Sequence, residues 1–378
     1  MADLTIGFDP GSSLSKLIYK LPSDDNMRLL VMEPEVIKLP RESIDAYLAG
    51  KGEMGVAKSS DEAWVECTNT DECYAVGFLA RYFSSLPRLD RLKYETALYK
   101  VLGAVGAIAE QAHLPSKLSI AIACLLPYGE YQDRERFEKQ LRQHLRNFVF
   151  RGKRLRVKLE KFECRPEGGG LAMSRLQQNG LEWFQRQKLA VLMFGHRNTS
   201  LLLFERGKLT KGDTSNLGFH QLVDKIIGRT SGQATLSLTS AIYELGSDIR
   251  PENRVVRSLV KSTEARHVDA EIKQIAKVIA TARVEYWLGL ENWLDSILPT
   301  DLNEVILSGG AALYLQPELT NYFNRTSVYW GMDLQEQVKE ALREQRRSRQ
   351  SGREALSFRL VDVYGMFADF RERVEAVT

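Results

Sequence analysis

One short pattern occurs twice in this chain, and it limits the fold more than any other feature. An alternating strand runs into a glycine and hydroxyl residues, and the chain then turns back on itself. In the first copy Leu4, Ile6 and Phe8 alternate with Thr5, Gly7 and Asp9, Gly11-Ser12-Ser13 makes the turn, and Lys16 to Lys20 returns. In the second, Leu189 to Phe194 and Ser200 to Phe204 flank the turn Gly195-His196-Arg197-Asn198-Thr199. Gly11 and Gly195 stand about half the 378-residue chain apart. A chain of this length exceeds one ordinary core and suits two domains of roughly 150–200 residues. The repeat therefore predicts two similar halves, each opening with a glycine–hydroxyl hairpin.

Between the hairpins, helical periodicity is clearest over Arg91 to Gln111, Tyr131 to Asn147, Gly218 to Thr230 and Leu334 to Arg349. Glu264 to Leu298 is long for a globular helix and is expected to break into two near Gly289. Buried-strand candidates are Leu118 to Leu126, and Val305 to Leu307 ahead of Ser308-Gly309-Gly310. Strands alternating with helices indicate an α/β architecture. The polar, glycine-bearing stretch Arg41 to Asp71 is expected to form a small subdomain or a loop. No low-complexity tether separates the halves.

Composition narrows the function. The apolar and charged shares, 44% and 27%, are those of a soluble globular protein, and a net charge of +3 argues against a global field for nucleic acid. Basic residues gather at Arg142 to Lys158 and at Arg343 to Arg353, but without the interleaved aromatics that stack bases, so both read as solvated faces. Cys67, Cys73, Cys124 and Cys164 form no CxxC pair and have no histidines at metal spacing, which fits free thiols in a reducing compartment. The acidic start Met1-Ala2-Asp3 does not read as a signal peptide, and Val101 to Ala109 is too short for a membrane span, so a cytoplasmic protein is expected.

The first hairpin, Asp9-Pro10-Gly11-Ser12-Ser13-Leu14-Ser15-Lys16, has the parts of a phosphate and metal site. Gly11 permits a tight turn, Ser12 and Ser13 offer hydroxyl and N–H donors, Lys16 offers charge, and Asp9 can hold magnesium through water. A plain Asp-Pro-Gly-Ser turn would look the same. Gly195, Asn198, Thr199 and Ser200 repeat the logic. Val305 to Ala312 places two glycines at a strand-to-helix junction, where a flat or anionic ligand can approach the backbone. Each motif alone is weak; their order carries the weight.

That order, Asp9–Lys16, Gly195–Ser200 and Ile306–Ala312, resembles the phosphate-1, phosphate-2 and adenosine motifs of the actin, heat-shock chaperone and sugar kinase superfamily. Tyr74 to Ala80, Leu125 to Tyr131, Pro166 to Gly170 and Asp362 to Met366 are similar to segments of the plasmid-segregation actins of the ParM/StbA type. The resemblance runs from about residue 4 to about residue 370 and is specific in motif order but loose in individual letters. It implies an actin-like ATPase fold, two duplicated α/β domains around a nucleotide cleft. Domain I would span 1–165, with 355–378 returning to it and a small subdomain near 35–90; domain II would span 166–354. It further implies ATP or GTP with Mg2+, a homopolymeric filament, and an adaptor of the ParR type that touches DNA in place of the filament protein. No membrane insertion is implied.

Carried over by position, Asp9 is the metal-side carboxylate, and Gly11, Ser12, Ser13 and Lys16 form the first phosphate loop. Glu167 would orient the attacking water. Gly195, Asn198 and Thr199 would form the second loop, with Gly218 nearby and Ser308, Gly309 and Gly310 against the nucleoside. One position departs from the pattern. The second motif ordinarily begins with an aspartate two residues before its glycine, and Met193 stands there; Ser200 replaces a further acid. Loss of a metal-organising carboxylate costs several kcal/mol of transition-state stabilisation, each ~1.36 being tenfold in rate, so slow hydrolysis is expected. His196 reads as an ordinary turn histidine. Two other readings compete with a cytomotive filament for plasmid segregation or a bacterial cytoskeleton. One is a non-hydrolysing nucleotide-binding scaffold, favoured by Met193. The other is a small-molecule kinase, for which no acidic signature stands out.

Overall fold

A computed structural model describes residues 2–24, 26–50, 58–68, 72–83, 92–342 and 353–376. The chain divides into two compact units, Met1–Gly180 with Met332–Thr378, and Leu181–Gly331.

The first unit opens with β1 (Leu4–Pro10), β2 (Ser15–Lys20), β3 (Arg28–Met32), β4 (Val36–Leu39) and α1 (Arg41–Gly50). Next come β5 (Trp64–Cys67), β6 (Glu72–Val76), α2 (Phe78–Phe83), α3 (Lys93–Gln111) and β7 (Lys117–Leu126). They are followed by α4 (Tyr128–Tyr131), α5 (Arg134–Leu145), β8 (Phe148–Phe150), β9 (Lys153–Pro166) and α6 (Gly169–Asn179). The second unit begins with α7 (Leu181–Arg186), β10 (Lys188–Phe194), β11 (Thr199–Glu205), β12 (Lys208–Ser215) and α8 (His220–Ile227). It continues through α9 (Thr235–Leu245), α10 (Arg254–Ser258) and α11 (Ala265–Ile297). It closes with β13 (Glu304–Ser308), α12 (Gly310–Tyr314), α13 (Gln316–Tyr322) and β14 (Ser327–Tyr329). The chain then re-enters the first unit as α14 (Met332–Ala341) and α15 (Arg353–Glu375).

Among the described residues the first unit holds a nine-stranded sheet ordered β3-β2-β1-β7-β9-β8-β5-β6-β4, and the second a five-stranded sheet ordered β12-β11-β10-β13-β14. Their topologies match over five strands. In each, an antiparallel hairpin and a third antiparallel strand lie to one side of the leading strand, and two parallel strands lie to the other. The repeated sequence pattern is thus a repeated topology.

Parallel strands are covered on both faces, which explains their near-continuous apolar runs. On one face of the first sheet, Phe8, Ile120 and Ile122 join α3 residues such as Val101, Val105 and Ile108. On the other, Ile18, Ala121, Ala123 and Leu125 meet Leu360, Val363, Met366, Phe367 and Phe370 of α15. In the second unit, Val191 and Ile306 are fully buried, as are Ile279, Ala282 and Leu290 of α11.

Several expectations meet differences. Glu264 to Leu298 forms one continuous helix, α11, with Gly289 inside it. A lone glycine costs about 1 kcal/mol relative to alanine in a helix, too little to break one held by packing along its buried face. Tyr131 to Asn147 shortens to α5, with Tyr131 the last residue of α4, and Gly218 to Thr230 shortens to α8. The stretch from Arg41 to Asp71 contributes α1 and β5, so part of it belongs to the main sheet; 51–57 and 69–71 lie outside the described residues. The basic run to Lys158 enters β9, where Arg154, Arg156 and Lys158 are exposed and Leu155, Val157 and Leu159 are buried, a solvated strand face. The basic segment Arg343 to Arg353 falls outside the described residues over 343–352. The first unit continues past 165 through α6, because α6 packs on α15 closely enough that a side chain at Gly170 would meet the Asp362 carbonyl at 2.0 Å. No helix among the described residues is long and apolar enough to cross a membrane.

Candidate functional site

In the first unit the β1–β2 hairpin sets Asp9 directly opposite Lys16, and Lys16 Nζ lies 2.5 Å from Asp9 Oδ2. The loop between them needs Gly11, since a Cβ there would stand 2.4 Å from the Leu14 carbonyl oxygen. Ser12 is half-buried and Ser13 exposed. Helix α15 braces the loop: Arg359 Nη2 donates to Ser13 Oγ at 2.8 Å, and Lys16 Nζ donates to the Arg359 carbonyl at 3.0 Å. Asp9 Oδ1 is buried without a hydrogen-bond partner. Burial alone would raise the Asp9 pKa; Lys16, Lys93 and Arg359 outweigh it and hold the carboxyl below its ordinary value.

Two lysines that the sequence reading did not single out reach this region from α3. Lys93 and Lys100 are seven residues apart, so they lie on one face of a helix otherwise almost wholly apolar. They are only 7% and 4% exposed. Lys93 forms an ion pair with Glu167. Burial pulls its pKa down, but the Glu167 and Asp9 carboxylates prevail and the ammonium is held. Lys100 donates to the carbonyls of Pro10 and Gly11 at 3.4 and 3.5 Å. Burial first, and then Lys93, push its pKa down to about 7, against the pull of Asp9 and Glu35. The available signal was a pair of charged residues at helical spacing in a buried helix.

Glu167 sits between β9 and α6, its N–H donating to the Leu126 carbonyl at 2.8 Å. Asp362 of α15 caps the start of α6, accepting from the N–H groups of Gly168, Gly170 and Leu171 at 2.7, 2.9 and 3.2 Å. A carboxylate there answers the positive end of the helix. Burial nevertheless pushes the Asp362 pKa up to about 7, with Asp9 and Glu167 adding to the rise against the Gly168 and Leu171 donors. Asp362 thereby fixes the backbone beside Glu167, a positioning role absent from the sequence reading.

In the second unit the β10–β11 loop is closed by Gly195 N–H donating to the Asn198 carbonyl at 2.9 Å. The segment before α8 lies on this loop: Phe219 and His220 N–H donate to the carbonyls of Gly195 and His196 at 3.1 and 3.0 Å. Thr199 Oγ1 donates to the Leu217 carbonyl at 2.8 Å. A Cβ at Gly218 would stand 2.2 Å from the Arg197 carbonyl carbon. Ser308 lies beside Met193 in the parallel pair, and Gly309, at φ +97°, approaches so closely that a Cβ would stand 2.3 Å from the Phe194 carbonyl oxygen. The unit therefore brings together Gly195, Asn198, Thr199, Gly218, Ser308, Gly309 and Gly310. His196 is held in this turn near Phe219 and His220.

These backbones suit a phosphate-bearing ligand: tight glycine turns, hydroxyls at the loops and, at the first of them, the nearby Lys16 and Lys100 side chains. For a divalent cation the first loop offers one carboxylate, Asp9, whose buried Oδ1 has no hydrogen-bond partner and can hold magnesium through water. Asp9 is the single carboxylate of the first hairpin, the Gly195–Ser200 turn holds none, and Asp9 Oδ2 is engaged by Lys16. Among the described residues no group of three or more His, Cys, Asp or Glu side chains is placed to hold a metal.

Comparison of the whole structure with solved proteins finds actin-like relatives. The chain is similar to the actin-like protein Alp7A, with a TM-score of 0.60 at 14% identity, covering 99% of this chain and 97% of that one. It is similar to Bacillus thuringiensis ParM with AMPPNP, with a TM-score of 0.57 at 12% identity, covering 99% of each chain. It is also similar to Alp12 in a filament structure, with a TM-score of 0.55 at 12% identity, covering 99% of this chain and 100% of that one. No protein-family model and no curated protein matches the sequence. The chain has the actin-like fold.

Proposed function

We propose that this chain is a ParM-type, nucleotide-dependent filament protein of the cytoplasm. It binds ATP or GTP through its two glycine–hydroxyl hairpins and the Ser308–Gly310 junction, and it assembles head to tail with copies of itself. The observation that carries this reading is the duplicated topology, which sets a phosphate-type hairpin at the same place in each of two matching sheets of an actin-like fold. One structural neighbour was solved with AMPPNP and another as a filament, which supports both halves of the proposal. Heterologous contacts that do not close into a ring give open polymers. Cargo attachment is assigned to a ParR-type adaptor, in plasmid segregation or in a bacterial cytoskeleton.

Within this reading Gly11, Ser12, Ser13, Lys16, Gly195, Asn198 and Thr199 face phosphate, and Gly218, Ser308, Gly309 and Gly310 face the nucleoside. Asp9 and Glu167 are the acids of the hydrolytic step, with Glu167 orienting water. Turnover is slow on two counts. Met193 supplies no carboxylate, and Glu167 is held by the Lys93 ammonium, which competes for the lone pairs that would receive a water proton. The same two features favour the second reading, a scaffold that holds nucleotide without turnover.

Phosphate release from the full chain with ATP, beside Glu167→Gln, tests the assignment. Slow release, reduced at least about tenfold in the variant, is expected. Equal release from both proteins would remove Glu167 from the role, and none from either, with polymer still formed, would establish the scaffold.

A further inference from the structure

We propose that the outward face of α11 is a self-complementary contact. It takes α11 of a second copy of this chain in antiparallel orientation, a two-fold pairing additional to head-to-tail assembly. The helix runs 33 residues, and its inward face is buried through Ile272, Ile275, Ile279, Tyr286, Leu290 and Leu294. On the outward face Lys273, Lys277, Val284, Leu288 and Asp295 are exposed and Glu291 is half-buried. At about 3.6 residues per turn these six form one narrow stripe. Val284 and Leu288, 59% and 49% exposed, make an apolar step at its centre, where a solvated helix face carries polar residues.

The order of charge along the stripe selects what covers it. From its amino end the stripe is basic, then apolar, then acidic. Its members are placed symmetrically about Tyr286: Val284 and Leu288 stand two residues to either side, and Lys277 and Asp295 nine. An antiparallel copy therefore sets Val284 against the partner's Leu288 and Lys277 against the partner's Asp295, each pair occurring twice. A parallel copy would set lysine against lysine and acid against acid, a repulsive match. Lys277 and Asp295 are about 27 Å apart along one helix, so neither answers the other within the chain. Tyr322 Oη donates to Asp295 at 2.6 Å and fixes that carboxylate at the surface. The order also runs against the helix's own dipole, with Arg266 in the first turn and Asp295 in the last. An antiparallel neighbour brings the end of opposite sign to each. The contact is one helix wide, so it is weak between two free chains and gains from repetition along a polymer.

The test uses the full chain without nucleotide, whose own cysteines are buried. Thr281 and Asn292 are exposed, uncharged and on one flank of the stripe. They are about 16 Å apart in one helix but adjacent across an antiparallel pair. Chains carrying Thr281→Cys and Asn292→Cys, mixed and treated with a short thiol crosslinker, are expected to join as a dimer, with little product from either alone. As much dimer from each variant alone would indicate parallel pairing and overturn the proposal, as would no dimer in any sample. Sedimentation velocity gives the second readout. Lys277→Glu is expected to weaken self-association about tenfold, and adding Asp295→Lys to restore it to within about threefold of the wild-type chain. No loss on the single reversal, or no recovery in a double variant that circular dichroism shows to be folded, would overturn the antiparallel assignment.

Discussion

At the scale of single residues, what the chain requires is clearest where a side chain has no room. Gly309 has φ +97° and its Cβ would stand 2.3 Å from the Phe194 carbonyl oxygen, so Gly309→Ala meets both strain and a backbone clash. Gly152 has φ +82° with nothing within 4 Å, so Gly152→Ala meets strain alone. Denaturant unfolding is expected to show a loss of about 1 kcal/mol for Gly152→Ala and at least about 3 kcal/mol for Gly309→Ala. Equal losses would mean that the junction relaxes freely. Lys100 gives a pH dependence of defined sign. Its folded pKa, about 7, lies below the ordinary 10.5, so between those values the unfolded chain holds the extra proton. Stability then rises with pH across that window, while below pH 7 the full cost of the buried charge is borne. Asp9, Glu35 and Lys93 are the charged groups facing it. Lys100→Met is therefore expected to raise the melting temperature most below pH 7, with the gain shrinking toward pH 10. A gain that is constant across pH would contradict this. The glycines were legible because turn chemistry is local. The buried lysines were not, because only the packing of α3 shows that Lys100 points at a loop some ninety residues earlier and Lys93 at Glu167.

At the scale of elements, α6 depends on a residue far from it in sequence. Asp362 accepts three N–H bonds at its start and is buried. Asp362→Ala leaves those donors without the carboxylate, at about 1–3 kcal/mol for each one left unsatisfied. The variant is expected to lose about 2–4 kcal/mol of stability, with faster amide exchange at 168–171 read by mass spectrometry. Unchanged exchange there would show that α6 is held from elsewhere. Elements with a clean period were legible: both hairpins, α3, β7 and β13 follow their apolar patterns. Elements governed by partners were less so. Gly289 invites a break that packing overrides in α11, and the alternation of β9 is masked by so many basic residues that it reads as a charge cluster. The capping of α6 by α15 is a long-range contact that no local pattern encodes.

At the scale of the whole molecule, the duplication visible in the two hairpins extends to five strands of matching order and sense in each sheet. Motif order was enough to anticipate the actin-like fold, because a glycine–hydroxyl hairpin, its repeat and a strand–glycine–helix junction occur in sequence. It was not enough to find the charge arrangement around the first hairpin. That arrangement comes from α3 and α15, which bring Lys93, Lys100 and Arg359 to the first hairpin. Self-assembly depends on surfaces, which motif order does not describe. The central claim is that nucleotide binding drives this fold to polymerise. The most direct test is sedimentation of the full chain at high speed with ATP, with GTP and with no nucleotide. The account predicts polymer in the pellet with at least one nucleotide and a soluble chain without any; a chain that stays in the supernatant under every condition while still binding nucleotide would contradict it.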